Sequence, residues 1–212
     1  MPAFKPGDRI LFQGDSITDG SRGRSADPNH ILGHGYAFII AAFFGAAYPE
    51  RNLDFMNRGC SGNKVNDLAD RWETDTLVLK PDLLSILIGV NDNLFSVPFQ
   101  NFEYTYDKLL GATVAALPQV RFVLGEPFTL PGGSILGDYP TWQKNVKIRA
   151  AIVEKLAAKY KAPFVRFQRA FDAACERAPV EHWIWDGVHP TYSGHQIMAD
   201  EWAHTVQEFY QS

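Results

Sequence analysis

The run Asp82-Leu83-Leu84-Ser85-Ile86-Leu87-Ile88 is apolar at nearly every position, with no alternation that would leave one side of a strand wet. A strand of this kind is covered on both faces, the condition of a parallel sheet held between two layers of helices. Shorter apolar runs predict further strands over 9–13, 53–57, 120–124 and 164–167. Helical patterns separate them. Residues 36–47 form a nearly all-round apolar segment that should be buried, and Phe102, Tyr106, Leu109, Leu110, Thr113, Val114 and Leu117 recur at three, four and seven. Val146, Ile152, Val153, Leu156 and Tyr160 mark another helix, and Met198, Trp202, Val206 and Phe209 the inner stripe of a last one. Ser193 and Gln196 stand at capping-box spacing before that stripe.

Strands alternating with helices imply right-handed crossovers and a three-layer α/β/α sandwich with a five-stranded parallel sheet, in the flavodoxin-like order 2-1-3-4-5. With 212 residues and neither repeat nor linker, the chain reads as one domain over 1–212. Two long irregular stretches, 20–33 and 126–140, follow strands and are expected to line a substrate mouth or make subunit contacts.

The formal charge of -4, with Lys and Arg scattered, offers no face for a run of phosphates, so nucleic acid is not expected as a partner. Cys60 and Cys175 are far apart and lack C-x-x-C spacing, which predicts reduced thiols and no metal centre. No apolar run reaches membrane-spanning length and no charged-then-apolar leader opens the sequence, so a cytoplasmic protein without membrane contact is expected.

The C-terminal ends of parallel strands are where such sheets place chemistry. Four segments fall there or just before the last helix: Gly14-Asp15-Ser16, residues 57–63, Gly89-Val90-Asn91-Asp92, and Trp185-Asp186-Gly187-Val188-His189-Pro190. Ser16, two residues past a strand-end glycine, can expose its hydroxyl as a nucleophile. Asp186 and His189, three apart in a Gly- and Pro-bearing loop, suit a general base whose tautomer is fixed by a carboxylate. Acyl transfer further requires donors for an oxyanion, and the Ser16 amide, the Gly62 amide and the Asn91 side chain can converge from successive strand ends. Taken singly, each motif is equally an ordinary turn or cap; their joint order at one sheet edge gives them weight. His30, His34, His182, His195 and His204 lack a paired carboxylate context and are assigned surface or loop positions.

With these blocks in hand, the chain resembles the GDSL/SGNH hydrolase superfamily over nearly its whole length. Gly14-Asp15-Ser16-Ile17 matches the first block, with Ile17 in place of the usual Leu. Residues 57–63 match the second, Gly89 to Asp92 the third, and Asp186, His189 and Pro190 the last. Within the superfamily it is similar to intracellular acetylxylan-esterase-like enzymes, through Thr18-Asp19, His34-Gly35-Tyr36, Asp67-Leu68, Arg71-Trp72-Glu73 and Trp185-Asp186. The resemblance implies a serine esterase removing short acyl groups, acetyl above all, from sugar hydroxyls such as those of acetylated xylo-oligosaccharides. It implies a catalytic triad of Ser16, Asp186 and His189, an oxyanion hole of Ser16, Gly62 and Asn91, no metal or other cofactor, and a homo-oligomer. Asp15, Trp185, Phe128 and Tyr139 are expected to line the substrate site, where flat rings can stack on a pyranose.

Several rival readings are weaker. Gly59-Cys60-Ser61-Gly62-Asn63 lacks the last glycine of a Gly-x-Ser-x-Gly elbow, which demotes Ser61. A metal phosphoesterase could draw on Asp15, Asp19, Asp92, Asp186 and His189, but its carboxylates are too sparse. Gly33-His34-Gly35 lacks both a third glycine and a preceding strand, against dinucleotide binding. A broad short-chain or lysophospholipase-type acyl hydrolase, and a catalytically silent carbohydrate-binding or assembly subunit, stay open as alternatives.

Overall fold

The computed structural model describes residues 4–25 and 27–211. Its strands are β1 (Arg9–Gly14), β2 (Asp54–Asn57), β3 (Leu83–Leu87), β4 (Arg121–Gly125) and β5 (Phe164–Val165). They pair in parallel in the order β2-β1-β3-β4-β5, as expected. The apolar run that suggested a doubly covered strand lies at the centre: every residue of β3 is buried, and it pairs with β1 and β4.

Helices α1 (Ser16–Asp19), α2 (Tyr36–Ala47), α3 (Val65–Asp70), α4 (Val90–Leu94), α5 (Phe99–Ala116), α6 (Tyr139–Lys159), α7 (Phe167–Cys175) and α8 (Tyr192–Gln211) surround the sheet. Strand alternation sorts the core into two layers. On one side Ile10, Phe12, Leu83, Leu87 and Val123 meet α2, α7 and α8 through Ile40, Phe44, Phe171 and Trp202. On the other, Leu11, Leu84, Ile86, Phe122 and Leu124 meet α3, α5 and α6 through Leu68, Phe102, Leu110 and Val153. Each such fully buried side chain contributes about 1.5–3 kcal/mol of transfer free energy. The one polar residue of β3, Ser85, accepts the Trp202 indole N–H at 3.0 Å, which satisfies both groups inside the first layer.

Four local expectations need correction. Helix α2 is not buried all round: Tyr36, Ala37, Ile40 and Phe44 are, but Phe38 and Phe43 are 46% and 52% exposed, because an outer layer presses only one face of a helix to the sheet. Strand β5 stops at Val165, and Phe167 opens α7, whose buried Phe167, Phe171 and Ala174 have helical spacing. The stretch expected to be irregular over 126–140 is not so throughout: Gly133–Asp138 form a 3₁₀ turn and α6 starts at Tyr139, with Pro140 in its first turn, where the missing N–H costs nothing. The cap of α8 is Thr191 rather than Ser193: its Oγ1 accepts the Gly194 N–H at 3.1 Å.

The order of the sheet matters for function because β2, β1 and β3 are neighbours. Their C-terminal ends therefore bring the segment after Asn57, the segment after Gly14 and the start of α4 to one place, although they are far apart in sequence.

Candidate active site

Ser16 is placed by a tight crossing. A Cβ on Gly14 would lie 2.3 Å from the Leu87 carbonyl oxygen, so only glycine lets β1 end against β3 there. Asp15 then caps the single turn of α1, its Oδ1 accepting the Ile17 N–H at 3.0 Å, and Ser16 is the first helical residue. The histidine comes from a short hairpin. Ile184 and Pro190 form an antiparallel bridge, and the Trp185 N–H donates to the His189 carbonyl at 2.8 Å. Gly187 (φ +91°) makes the turn, pressed on Ile135 and the Gly132 carbonyl so closely that a Cβ would meet them at 2.4 and 2.7 Å. The segment after β4, expected to line a substrate mouth or make subunit contacts, thus packs against this hairpin through Gly132 and Ile135.

The two supports bring Ser16 Oγ to 2.8 Å from His189 Nε2, and His189 Nδ1 to 2.7 Å from Asp186 Oδ2. The other carboxylate oxygen of Asp186 accepts the N–H groups of Val188 (2.9 Å) and His189 (2.8 Å), which locks the carboxylate in the plane the imidazole requires. Burial acts to raise the Asp186 pKa, but the His189 amide, the His189 ring and the Val188 amide outweigh it, so the group is held below the ordinary value and stays ionised. A hydroxyl, an imidazole and a carboxylate in this chain of bonds can take a proton from the serine and return it to a leaving group.

The donor side is built by the loop after β2. Asn57 lends three contacts to α1 and to the loop that leads into α2, through the carbonyls of Thr18 (2.7 Å), Asp19 (3.3 Å) and Leu32 (2.9 Å), while its Oδ1 accepts the Gly59 N–H at 2.9 Å. Arg71 clamps the loop from α3's end, donating to Asn63 Oδ1, the Arg58 carbonyl and the Gly14 carbonyl. Asp19 holds Ser61 through both its amide and its hydroxyl. Gly62, at φ +81°, is exposed, and neither its N–H nor that of Ser16 has an acceptor among the described residues. Asn91 spends one amide proton on the Asn63 carbonyl at 3.1 Å, which orients it and leaves the other free. Unengaged donors of this kind are what an oxyanion needs.

The remaining sequence expectations divide. Trp185 is 63% exposed beside this site and meets Tyr192, 78% exposed, at a ring separation of 6.5 Å. Phe128 does not line a substrate site: it is 1% exposed and packs on Phe167 and Phe171. Asp15 is likewise buried, at 1% exposure, and its Oδ2 has no partner; burial, reinforced by Asp92, pushes its carboxyl up to about 7 despite the Ile17 amide and the nearby His189. Tyr139 is half-buried against the core, with its hydroxyl donating to the Thr129 carbonyl at 3.4 Å. His195 is neither surface nor loop: it is 7% exposed in α8, and its Nδ1 accepts the Tyr36 N–H at 3.2 Å, capping α2. Burial above all, then His34 and His189, hold it neutral with a pKa lowered to about 4. The anchoring roles of Asn57, Arg71 and Asp19 had no signal in the sequence beyond their presence in the matched blocks. Among the described residues no three His, Cys, Asp or Glu side chains gather in a way that could hold a metal ion, and no helix is long and apolar enough to cross a membrane.

Comparison with known proteins agrees with this geometry. The model of the GDSL-like lipase/acylhydrolase family matches residues 12–197. The chain is 34% identical over 203 residues to an acetylxylan esterase from Geobacillus stearothermophilus, covering 91% of each. A crystal structure described as a GDSL-like lipase from Parabacteroides merdae superposes with a TM-score of 0.91 at 38% identity, covering 96% of this chain and 97% of that one. Two catalytic mutants of a G. stearothermophilus acetylxylan esterase, one lacking an aspartate and one a serine, superpose with TM-scores of 0.87 and 0.85 at 30% and 29% identity, covering 96% of both chains.

Proposed function

Since the chain belongs to the GDSL-like lipase/acylhydrolase family, we propose that it removes short acyl groups, acetyl foremost, from carbohydrate hydroxyls such as those of acetylated xylo-oligosaccharides. It is a carboxylic ester hydrolase. The observation that carries the serine-esterase mechanism is the unbroken hydrogen-bonded chain from Ser16 Oγ through His189 to Asp186, at 2.8 and 2.7 Å, and the sugar substrate rests on the similarity to an acetylxylan esterase.

In this mechanism His189 Nε2 takes the Ser16 proton as Oγ attacks the ester carbonyl. The amides of Ser16 and Gly62 and the side chain of Asn91 receive the negative charge that develops on the carbonyl oxygen. Asp186 stabilises the imidazolium. His189 then protonates the departing sugar oxygen, and a water activated by the same imidazole releases the acyl group from Ser16. Because the leaving oxygen must lie within reach of His189, the sugar ring occupies the histidine side of the site. Trp185 and Tyr192 flank the His189 hairpin there, and their exposed rings offer a face for a pyranose.

The experiment is acetate release from acetylated xylo-oligosaccharides beside hydrolysis of an aryl acetate, with wild type and Ser16→Ala in parallel. Ser16-dependent release from both substrates supports the sugar deacetylase. Ser16-dependent cleavage of the aryl ester alone overturns the sugar assignment in favour of a broad short-chain esterase, and an unchanged rate in Ser16→Ala overturns the mechanism.

A further inference from the structure

Along the outer edge of β2 lies a cavity of about 270 Å³ whose wall includes Arg22, Arg24, Arg58, Ile31, Met56 and Asn57. Three guanidinium groups in one recess require counter-charge, and the described residues supply only part of it. Arg24 is matched, gripping both oxygens of Asp19 at 3.1 and 2.6 Å. Asp54, the carboxylate on the same wall, is held by Arg9 Nε at 2.6 Å.

Arg22 shares the charge of Asp19 with Arg24, and Arg58 is left over. Arg22 is 9% exposed, donates Nε to the Gly59 carbonyl at 2.9 Å, has the Cys60 sulfur 3.8 Å from Nη2, and feels the Asp19 carboxylate, which also accepts its backbone N–H at 3.1 Å. Burial, and then the charge of Arg24, depress its pKa. Arg58 is half-buried; its Nε is closed to solvent yet has no acceptor, and the side chain makes no ion pair among the described residues. A buried cationic donor without a partner is costly. The backbone adds donors. Asp54 gives its N–H to Asp8, just before β1, and Arg58 gives its N–H to Phe12 of β1, so the alternation of a parallel ladder turns the amides of Phe55 and Asn57 outward, toward this edge.

We propose that this recess is a binding site for a small oxyanion, a carboxylate or phosphate group, held by the guanidinium groups of Arg22 and Arg58. Planar guanidinium donors match the spacing of such oxygens. The volume lies just below the roughly 300–1,000 Å³ of small-molecule sites, which suits a single sugar acid or a phosphate and not a stretch of polymer. The recess does not include Ser16 in its wall, and Arg22 links it to Gly59 and Cys60 of the loop that carries Gly62.

Calorimetric titration with inorganic phosphate and, separately, with D-glucuronate at fixed ionic strength tests the proposal, with glucose as the uncharged control. Wild type is expected to bind at least one of the two anions saturably in the millimolar range, and Arg58→Gln to bind it at least tenfold more weakly; the tighter anion identifies the source. Circular dichroism checks that Arg58→Gln is folded, and Arg58→Lys, which keeps the charge but loses the fork, serves in its place if it is not, with weaker binding than wild type expected. Heat that never saturates, absence of binding by both anions, or equal affinity in wild type and variant would overturn the site.

Discussion

Replacing Asp186 by Asn tests the proton logic of the site with little change of shape. Oδ1 of Asp186 accepts two backbone N–H groups, from Val188 and His189, so in Asp186→Asn the amide oxygen must remain at that position. The NH₂ group then falls where Oδ2 now faces His189 Nδ1 at 2.7 Å. Two donors cannot face each other, and the imidazole responds by moving its proton to Nε2. That nitrogen, 2.8 Å from Ser16 Oγ, then has no lone pair with which to take the serine proton. The same substitution in a comparable triad lowers kcat about 10⁴-fold, equivalent to roughly 5.5 kcal/mol of barrier at about 1.36 kcal/mol per tenfold. Both backbone hydrogen bonds survive, so the melting temperature should stay within a few degrees of wild type. Asp186→Ala should behave in the opposite way: it leaves the tautomer free, and so retains more activity per folded molecule, but orphans two amides and melts lower. Steady-state hydrolysis of an aryl acetate at pH 8, with thermal melts of all three proteins, reads both quantities. An Asn variant within tenfold of wild-type kcat, or an Ala variant less active than the Asn variant, refutes the tautomer argument.

Asn91→Ala should lower kcat by about 10²–10³ with little change in KM, because the donor acts on charge that appears only in the transition state; a change confined to KM would remove Asn91 from the oxyanion hole. His195 has a folded pKa of about 4 against an ordinary 6.5, so the unfolded chain binds more protons between those values. Its contribution is therefore present above pH 6.5 and lost as pH falls toward 4, up to about 3 kcal/mol. The melting temperature of wild type minus that of His195→Gln, whose amide oxygen can still accept the Tyr36 N–H, should accordingly shrink from pH 7.5 to pH 4.5, and a constant difference would contradict the buried neutral imidazole. Asp15 runs the other way. With its folded pKa raised to about 7, ionisation penalises the folded state increasingly from about pH 4 up through pH 7, so Asp15→Asn should gain stability relative to wild type between pH 5 and pH 8, as thermal melts at both pH values would show.

Most of the sheet was legible because a doubly covered strand has no polar face to confuse its pattern. The runs that became β1, β3 and β4 are apolar on both sides, and the crossover rule left few orders to choose among. The segments around Ser16, Gly62, Asn91 and His189 were legible as strand ends, and the structure brings Ser16, His189 and Asp186 into hydrogen-bonding reach. What failed depended on partners far away in sequence. Nothing local says that His195 will meet the Tyr36 amide, or that Phe128 will pack edge-on to Phe167 and tilted against Phe171 of α7. Phe167 continues an apolar run and so reads as strand; only its spacing to Phe171 and Ala174 reveals a helix. Thr191 and Ser193 are chemically equivalent caps, and the hairpin that carries His189 decides between them. The exposed rings of α2 show the limit of composition: an apolar sequence does not create a second apolar neighbour.

The central claim is that Ser16 is the nucleophile, and covalent labelling with a fluorophosphonate tests it most directly. Intact-mass spectrometry should give a single adduct that peptide mapping places on Ser16, absent in Ser16→Ala and formed far more slowly in His189→Ala. An adduct on Ser61 or elsewhere, or full esterase activity in a protein whose Ser16 carries the label, would contradict the account.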